Sequence, residues 1–371
     1  MPKGQDEPPR MKKRRSTSHS RKAGLPPGTL VHIGEIRADH TTLTSISYDS
    51  AHFTEKLLST VEPTPQRVGP HEFTWLDVRG LRDVTWLGNL GKQFNLHPLI
   101  LEDILNTHQR SKVEDYGDVL FCVVRLFAWD ATSQSLESDQ ISLVLGRNFV
   151  LSFQERSTGV FEPVRERLRA PGTPLRNKPI DHLAHALIDS IVDRYFLVVE
   201  GLDTAAAPVE DAVLTHPTPA ILRTINGLRH EVQTIRRAIT PLREVLMTLN
   251  RGESRFFGDE VRPYLRDVLD HTMHVQEDLD SVRDVLSGAL EIYLSSVSNR
   301  LNLEVRVLAV LTTLFLPATL IAGVFGMNFQ DMPWRDVHDG FWLAISLMAV
   351  TATVLAAIFW RRKWLKTDDP N

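Results

Sequence analysis

Residues 307–330 read VLAVLTTLFLPATLIAGVFGMNFQ, 24 consecutive positions without Asp, Glu, Lys or Arg, and this stretch decides the fold. A bilayer core of about 30 Å needs roughly 20 such residues in a helix, so the run is long enough to cross one. A second charge-free run, FWLAISLMAVTATVLAAIFW, occupies residues 341–360. Two buried helices of a soluble core are the alternative, but such cores seldom hold two runs of this kind side by side, and two membrane spans are expected.

The flanks orient the spans. Arg361, Arg362, Lys363 and Lys366 follow the second run, whereas the loop at 331–340 carries Arg335 against Asp331, Asp336 and Asp339. By the positive-inside bias the basic C-terminus at 361–371 is cytoplasmic, and two spans return the N-terminal part to the same side. The expectation is a multi-pass protein of the cell's inner (plasma) membrane, with membrane lipid as a partner and both termini in the cytoplasm. A single cysteine, Cys122, fits a reducing compartment and excludes a disulfide framework or a Cys-rich zinc site.

The whole chain has 371 residues, a formal net charge of -4 and 42 Lys+Arg against 46 Asp+Glu. That balance leaves no broad basic surface, so no nucleic-acid partner is expected. Residues 1–29 begin MPKGQDEPPRMKKRRSTSHSRK and lack the apolar core of a signal peptide. Lys12, Lys13, Arg14 and Arg15 read as part of a solvated, disordered basic tail, with anionic lipid or RNA as the other use of such a run.

Between residues 30 and 180, short β-rich runs recur at 43–48, 75–78, 119–127, 140–145 and 149–153, with a helical stretch at 98–106. The mixture predicts an α/β domain. From 181 to 260 the character is helical, notably at 182–199 and 219–249. Pro263 and Pro317 then bracket a proline-free stretch whose one glycine is Gly288. It predicts a rod of about 80 Å, with a stalk at 261–306 that runs without a stop signal into the first span. Leu265, Val268, Thr272, Val275, Leu279, Val282, Leu286, Ala289 and Tyr293 alternate spacings of three and four, the pattern of a helix packed against other long helices. Such a rod can carry movement into the bilayer or serve only as an oligomerisation stalk.

On a helical wheel, Asn302, Val305, Leu308, Ala309, Thr312, Leu316, Thr319 and Gly323 share an arc of about 120°. Small and hydroxyl residues on one face suit contact with protein or water, either as ordinary helix packing or as the lining of a pathway. A single pair of spans makes no pathway, so conduction requires several copies around an axis.

The first span ends Phe325-Gly326-Met327-Asn328-Phe329, and a second span and a basic end follow. This layout resembles the CorA family of magnesium channels, whose signature is Gly-Met-Asn at this point. The segment 293–300 with Asn302, and Leu101-Glu102-Asp103-Ile104-Leu105 with Thr107-His108-Gln109-Arg110, are similar to further parts of that family. The resemblance implies a homopentameric funnel. In it an N-terminal α/β domain joins a long stalk helix that continues into the first of two transmembrane helices, five of which line an axial pore. It also implies passive uptake of hydrated Mg²⁺, possible passage of Co²⁺ or Ni²⁺, a selectivity filter of Gly326, Met327 and Asn328, and pore-lining roles for the arc above.

Physical chemistry is in keeping with this. Mg²⁺ dehydrates reluctantly, so a protein that must release it quickly does better to bind the hydrated ion. An Asn carbonyl accepts hydrogen bonds from coordinated water without the deep trap of a carboxylate, while Leu308 and Leu316 would narrow the pore and resist wetting. Two positions depart from the family pattern: Phe325 replaces its usual Tyr, and Met332-Pro333-Trp334-Arg335 lacks the Glu that often follows Met-Pro. Both leave Co²⁺, Ni²⁺ and Zn²⁺ open beside Mg²⁺, and a zinc transporter of the same superfamily is the alternative function.

By the same resemblance, Asp103 and Asp267 form a regulatory cation site between subunits, with Glu102, Asp189 and His271 as a second site. From the residues alone, Asp267, Asp270 and His271 share neighbouring positions on the rod, as a solvated face also would. A competing enzymatic reading places a catalytic metal on His182, His185 and Asp189, spaced three and four on one helical face. The chain has no Gly-rich phosphate loop, nucleophile elbow or paired-Cys motif, and no organic cofactor is expected.

Overall fold

The computed structural model describes residues 24–58, 72–252, 254–327 and 339–362. The basic tail up to residue 23, Asn328, most of the loop between the spans and residues 363–371 lie outside the described residues. In chain order the elements are β1 (Thr42–Tyr48), β2 (Phe53–Leu58), β3 (Phe73–Arg79), α1 (Val84–Gln93), α2 (Pro98–Leu105), β4 (Lys112–Asp115), β5 (Leu120–Asp130), β6 (Ser135–Leu145), β7 (Phe149–Gln154), α3 (Glu162–Arg169), α4 (Ile180–Thr215), α5 (Pro219–Asn250), α6 (Arg262–Phe325) and α7 (Gly340–Arg361).

The strands form one sheet in the order β2-β1-β3-β7-β6-β5-β4. Neighbours are antiparallel except β3 and β7, which pair in parallel and therefore need the long crossover through α1, α2 and β4 to β6. The five expected strands are β1, β3, β5, β6 and β7. The two unexpected ones, β2 (FTEKLL) and β4 (KVED), are the sheet's two edges. Edge strands are half solvated and carry charge, so they lack the apolar run that marks the inner strands. Two short helices, α1 and α3, were also not expected.

Alternation along β3 sends its side chains to opposite faces. Leu76 and Val78 join the core with Leu87 and Leu90 of α1 and Ile100, Leu101, Ile104 and Leu105 of α2. Trp75 and Asp77 point the other way, toward α3: the Trp75 ring meets Phe161 edge-on, with centroids 5.8 Å apart. Asp77 is fully buried and accepts from Ser152 Oγ at 2.6 Å, Gln154 Nε2 at 2.8 Å and the guanidinium of Arg165. A carboxylate is tolerated there because its charge is paired and its lone pairs are filled. Farther along this layer, Phe127 of β5 meets Tyr195 of α4, and the missing Cβ of Gly201 lets Trp129 approach α4: a Cβ there would lie 2.4 Å from the indole.

The chain divides into two compact units, Met1–Val209 with Arg223–Leu286, and Glu210–Leu222 with Ser287–Asn371. In the first, α4, α5 and α6 pack along their lengths. Its seven heptad positions from Leu265 to Leu286 are all buried, Leu265, Val268, Thr272, Val275, Leu279 and Leu286 completely, and Ala289 and Tyr293, which belong to the second unit, are buried too. Buried Ile225, Leu228, Val232, Ile235, Ile239, Leu242, Leu246 and Leu249 repeat the same three-and-four spacing on α5, and Arg236 pairs with Asp280 at 3.2 Å across the two helices. Pro263 falls in the first turn of α6, where its missing N–H costs nothing, but Pro317 does not end the helix, which is 64 residues long.

Among the described residues, α6 and α7 are the two helices long and apolar enough to cross a membrane, each with a mean hydropathy of 2.2 over its most apolar window. Reduced exposure on α6 follows Val310, Leu314, Pro317, Ala318, Ile321 and Phe325, and on α7 follows Ala344, Met348, Thr351, Ala352, Leu355 and Phe359. The matching spacing is that of two helices shielding one another.

Candidate functional site

Asp189 and Asp193 are one turn apart on α4, so both carboxylates project from the same side. They meet His271 of α6, and one ligand atom from each of the three lies within 4.8 Å of the others. Among the described residues this is the group of three such side chains close enough to hold one ion. Burial pushes the Asp189 carboxyl above its ordinary range, against the opposing pull of His271. Burial first, and then the Asp189 charge, do the same to Asp193. His271 Nδ1 is buried without a hydrogen-bond partner, and the ring rests edge-on against Phe196 at 5.7 Å. Two carboxyls held at raised free energy beside an unpaired imidazole nitrogen form a donor set that a divalent cation would relieve. Asp267 is more exposed, 3.8 Å from His271 Nε2.

Thus Asp189 and His271 come together as the sequence suggested, and Asp193 was missed. Its signal was available as an i, i+4 partner of Asp189, but four residues on α4 identify a face only once α6 is known to cover it. The set His182, His185 and Asp189 is not assembled. His182 and His185 instead lie against the Tyr264 ring, at 5.8 and 5.7 Å, and His182 Nδ1 is 3.0 Å from Asp181 Oδ1. Burial drives the His185 pKa down to about 4, as expected of a neutral packing histidine.

Glu102 and Asp103 occupy the last turn of α2, which starts at Pro98 and has His97 as its N-cap. The Gly28 N–H donates to Glu102. Asp103 receives the Gln109 side-chain amide on one oxygen and Lys112 Nζ on the other, the latter at 2.6 Å. Lys112 also reaches Glu114 Oε1 at 2.8 Å. The regulatory aspartate expected from the sequence therefore has a cationic partner within its own chain.

Along α6, Asn302 and Val305 just before the charge-free part, and Leu308, Ala309, Thr312, Leu316, Thr319 and Gly323 within it, are all exposed in the single chain, away from the stripe shared with α7. Thr312 and Thr319 donate their hydroxyls to Leu308 O and Phe315 O at 2.8 and 2.9 Å. With the proton used internally, each oxygen presents lone pairs outward, suited to accept from the water shell of a cation. Gly326 N bonds Ala322 O at 2.9 Å and Met327 N bonds Val324 O at 3.2 Å, closing the helix at the first two residues of the Gly-Met-Asn tripeptide.

A sheet-based domain, a helix that bears Asp267 and His271 early and a charge-free span later, and a second span define a two-span membrane protein of metal transport. The chain belongs to the CorA family: residues 70–363 match the CorA-like Mg²⁺ transporter proteins. It is 39% identical to the cobalt/magnesium transport protein CorA of Thermotoga maritima over 346 residues, 93% of this chain and 98% of that protein. Identity to the cobalt/magnesium transport protein CorA of Methanocaldococcus jannaschii is 25% over 323 residues, 83% of this chain and 96% of that one. The complete structure of the CorA magnesium transporter from M. jannaschii has the same fold, with a TM-score of 0.74 over 86% of this chain and 98% of that chain at 20% identity. Members of this family are transporters rather than enzymes, and the metalloenzyme reading is set aside.

Proposed function

We propose that this chain moves Mg²⁺ across the cell's inner membrane, inward and down its electrochemical gradient, and admits Co²⁺ or Ni²⁺ by the same route. The observation that carries the reading is on α6: one helix bears Asp267 and His271 in its first turns and an exposed arc of small, hydroxyl and leucine side chains in its charge-free part. The magnesium and cobalt transport proteins of Thermotoga and Methanocaldococcus that the chain resembles support these two ions as cargo. Five copies are proposed to surround the axis, with the arc from Asn302 to Gly323 lining the pore and Gly326, Met327 and Asn328 forming its selective mouth. Both termini lie in the cytoplasm. Asp103 and Asp267 of neighbouring subunits bind the regulatory Mg²⁺, and Asp189, Asp193 and His271, with Glu102, make the second site.

The test is competitive uptake of Mg²⁺, Co²⁺, Ni²⁺ and Zn²⁺ into liposomes that contain only the purified chain. Flux of Mg²⁺ without proton dependence is expected; proton-dependent Zn²⁺ uptake that excludes Mg²⁺ would replace the reading by the zinc alternative. Asn328→Ala is expected to remove most of the flux while leaving assembly intact, because it deletes the tripeptide's one side-chain amide oxygen able to accept from the ion's water shell. Near wild-type flux from a normally assembled variant would end the selectivity role.

A further inference from the structure

We propose that Lys112 is a tethered counter-ion that competes with divalent cation for Asp103 and so sets the concentration at which the regulatory site fills. The inference rests on the regulatory reading of Asp103 given above. Both oxygens of Asp103 are engaged inside the chain, one by the Gln109 amide and the other by Lys112 Nζ at 2.6 Å. An incoming ion therefore meets an occupied carboxylate and must displace the ammonium or share the oxygen with it.

Lys112 has somewhere to go. Its Nζ already lies 2.8 Å from Glu114 Oε1, and Glu114 is held in place by the Tyr116 hydroxyl on its other oxygen at 2.9 Å. The Phe121 ring lies under the ammonium with its centroid 5.7 Å away. A compact ammonium on a flexible four-carbon stem can shift from two carboxylates to one without leaving this cradle, which a planar guanidinium could not do as readily. The contact is also shielded: the side chains of Lys112 and Asp103 are 21% and 15% exposed, so solvent and salt weaken their pairing less than that of a surface pair. Whatever free energy joins Lys112 to Asp103 is subtracted from the free energy with which Asp103 binds metal, because both cannot take the same oxygen fully.

The experiment compares inhibition of flux by Mg²⁺ on the face that carries the soluble part, using the full chain in liposomes. Lys112→Met is expected to move half-inhibition to roughly tenfold lower Mg²⁺. Lys112→Arg should stay close to wild type or shift the opposite way, and Lys112→Met placed in an Asp103→Asn background should add nothing. Where Lys112→Met does not assemble, Lys112→Gln keeps a polar group in the slot and carries the same expectation. If Asp103→Asn shifts the curve but neither neutral variant of Lys112 does, or they move it to higher Mg²⁺, the counter-ion role is overturned alone. If Asp103→Asn leaves the curve unmoved, the regulatory reading itself falls, and the role of Lys112 with it.

Discussion

Single side chains in this protein show how burial reassigns groups that look alike in sequence. His182, His185 and His271 are all histidines of the α4 and α6 helices, yet only His271 lies between carboxylates. His185 packs on Tyr264 with its pKa lowered to about 4, chiefly by burial. A histidine near 6.5 when unfolded and near 4 when folded binds fewer protons in the native state between those values. Its native form is then fully favoured above about pH 6.5, and stability falls as pH drops through that window, by on the order of 3 kcal/mol in all. His185→Leu, which keeps an apolar contact with Tyr264, should flatten that part of the acid limb in thermal melts; an unchanged limb would assign the sensitivity to other groups. Asp189 and His271 were legible from the sequence by resemblance, and Asp193 was not. A carboxylate every few residues is ordinary on a solvated helix, and only the helix laid across it brings Asp193 beside Asp189 and His271.

At the scale of elements, α6 reads in two alphabets. Its early part is a heptad stripe of nonpolar and small residues that α4 and α5 bury, and its later part shields one stripe with α7 while leaving the arc from Asn302 to Gly323 open. In water an open face with Leu308 at 65% and Leu316 at 66% exposure would be a liability, and in the proposed assembly it is the surface that copies would turn toward a common axis. Leucine rings there would close the pore by excluding water rather than by binding the ion. Leu308→Gly or Leu316→Gly should accordingly raise leak under conditions where wild type is shut, roughly severalfold in liposome flux. No added leak from either change would place the axis on another face of α6.

For the whole molecule, a pore that admits cations down a large gradient needs feedback. A cytosolic ion supplies it only if it binds the closed assembly more tightly than the open one. Under the regulatory reading proposed above, a cation that displaces Lys112 from Asp103 would join it to Asp267 of a neighbouring subunit, and α6 is continuous from Asp267 to the arc that carries Leu308 and Leu316. Asp103→Asn together with Asp267→Asn should weaken inhibition by cytosolic Mg²⁺, shifting the half-inhibiting concentration upward by roughly tenfold or more. Patch currents recorded against internal Mg²⁺ read this directly, and an unmoved curve would remove the pair from regulation while leaving the pore assignment standing.

The two charge-free spans, the nine buried positions of the α6 stripe and five of the sheet's seven strands are legible in the sequence, because each is a local periodicity or a local run of composition. The sequence could not show β2 and β4, whose edge positions leave them half solvated and without an apolar pattern. That Asp193 joins Asp189 and His271, that His182 and His185 pack on Tyr264, and that Lys112 already occupies Asp103 is visible in the folded chain alone. Each of these depends on the phase and separation of two elements distant in the chain. A ligand set or an ion pair is a meeting of side chains within a few ångströms, and periodicity along one helix says which face is turned inward without saying what stands opposite it.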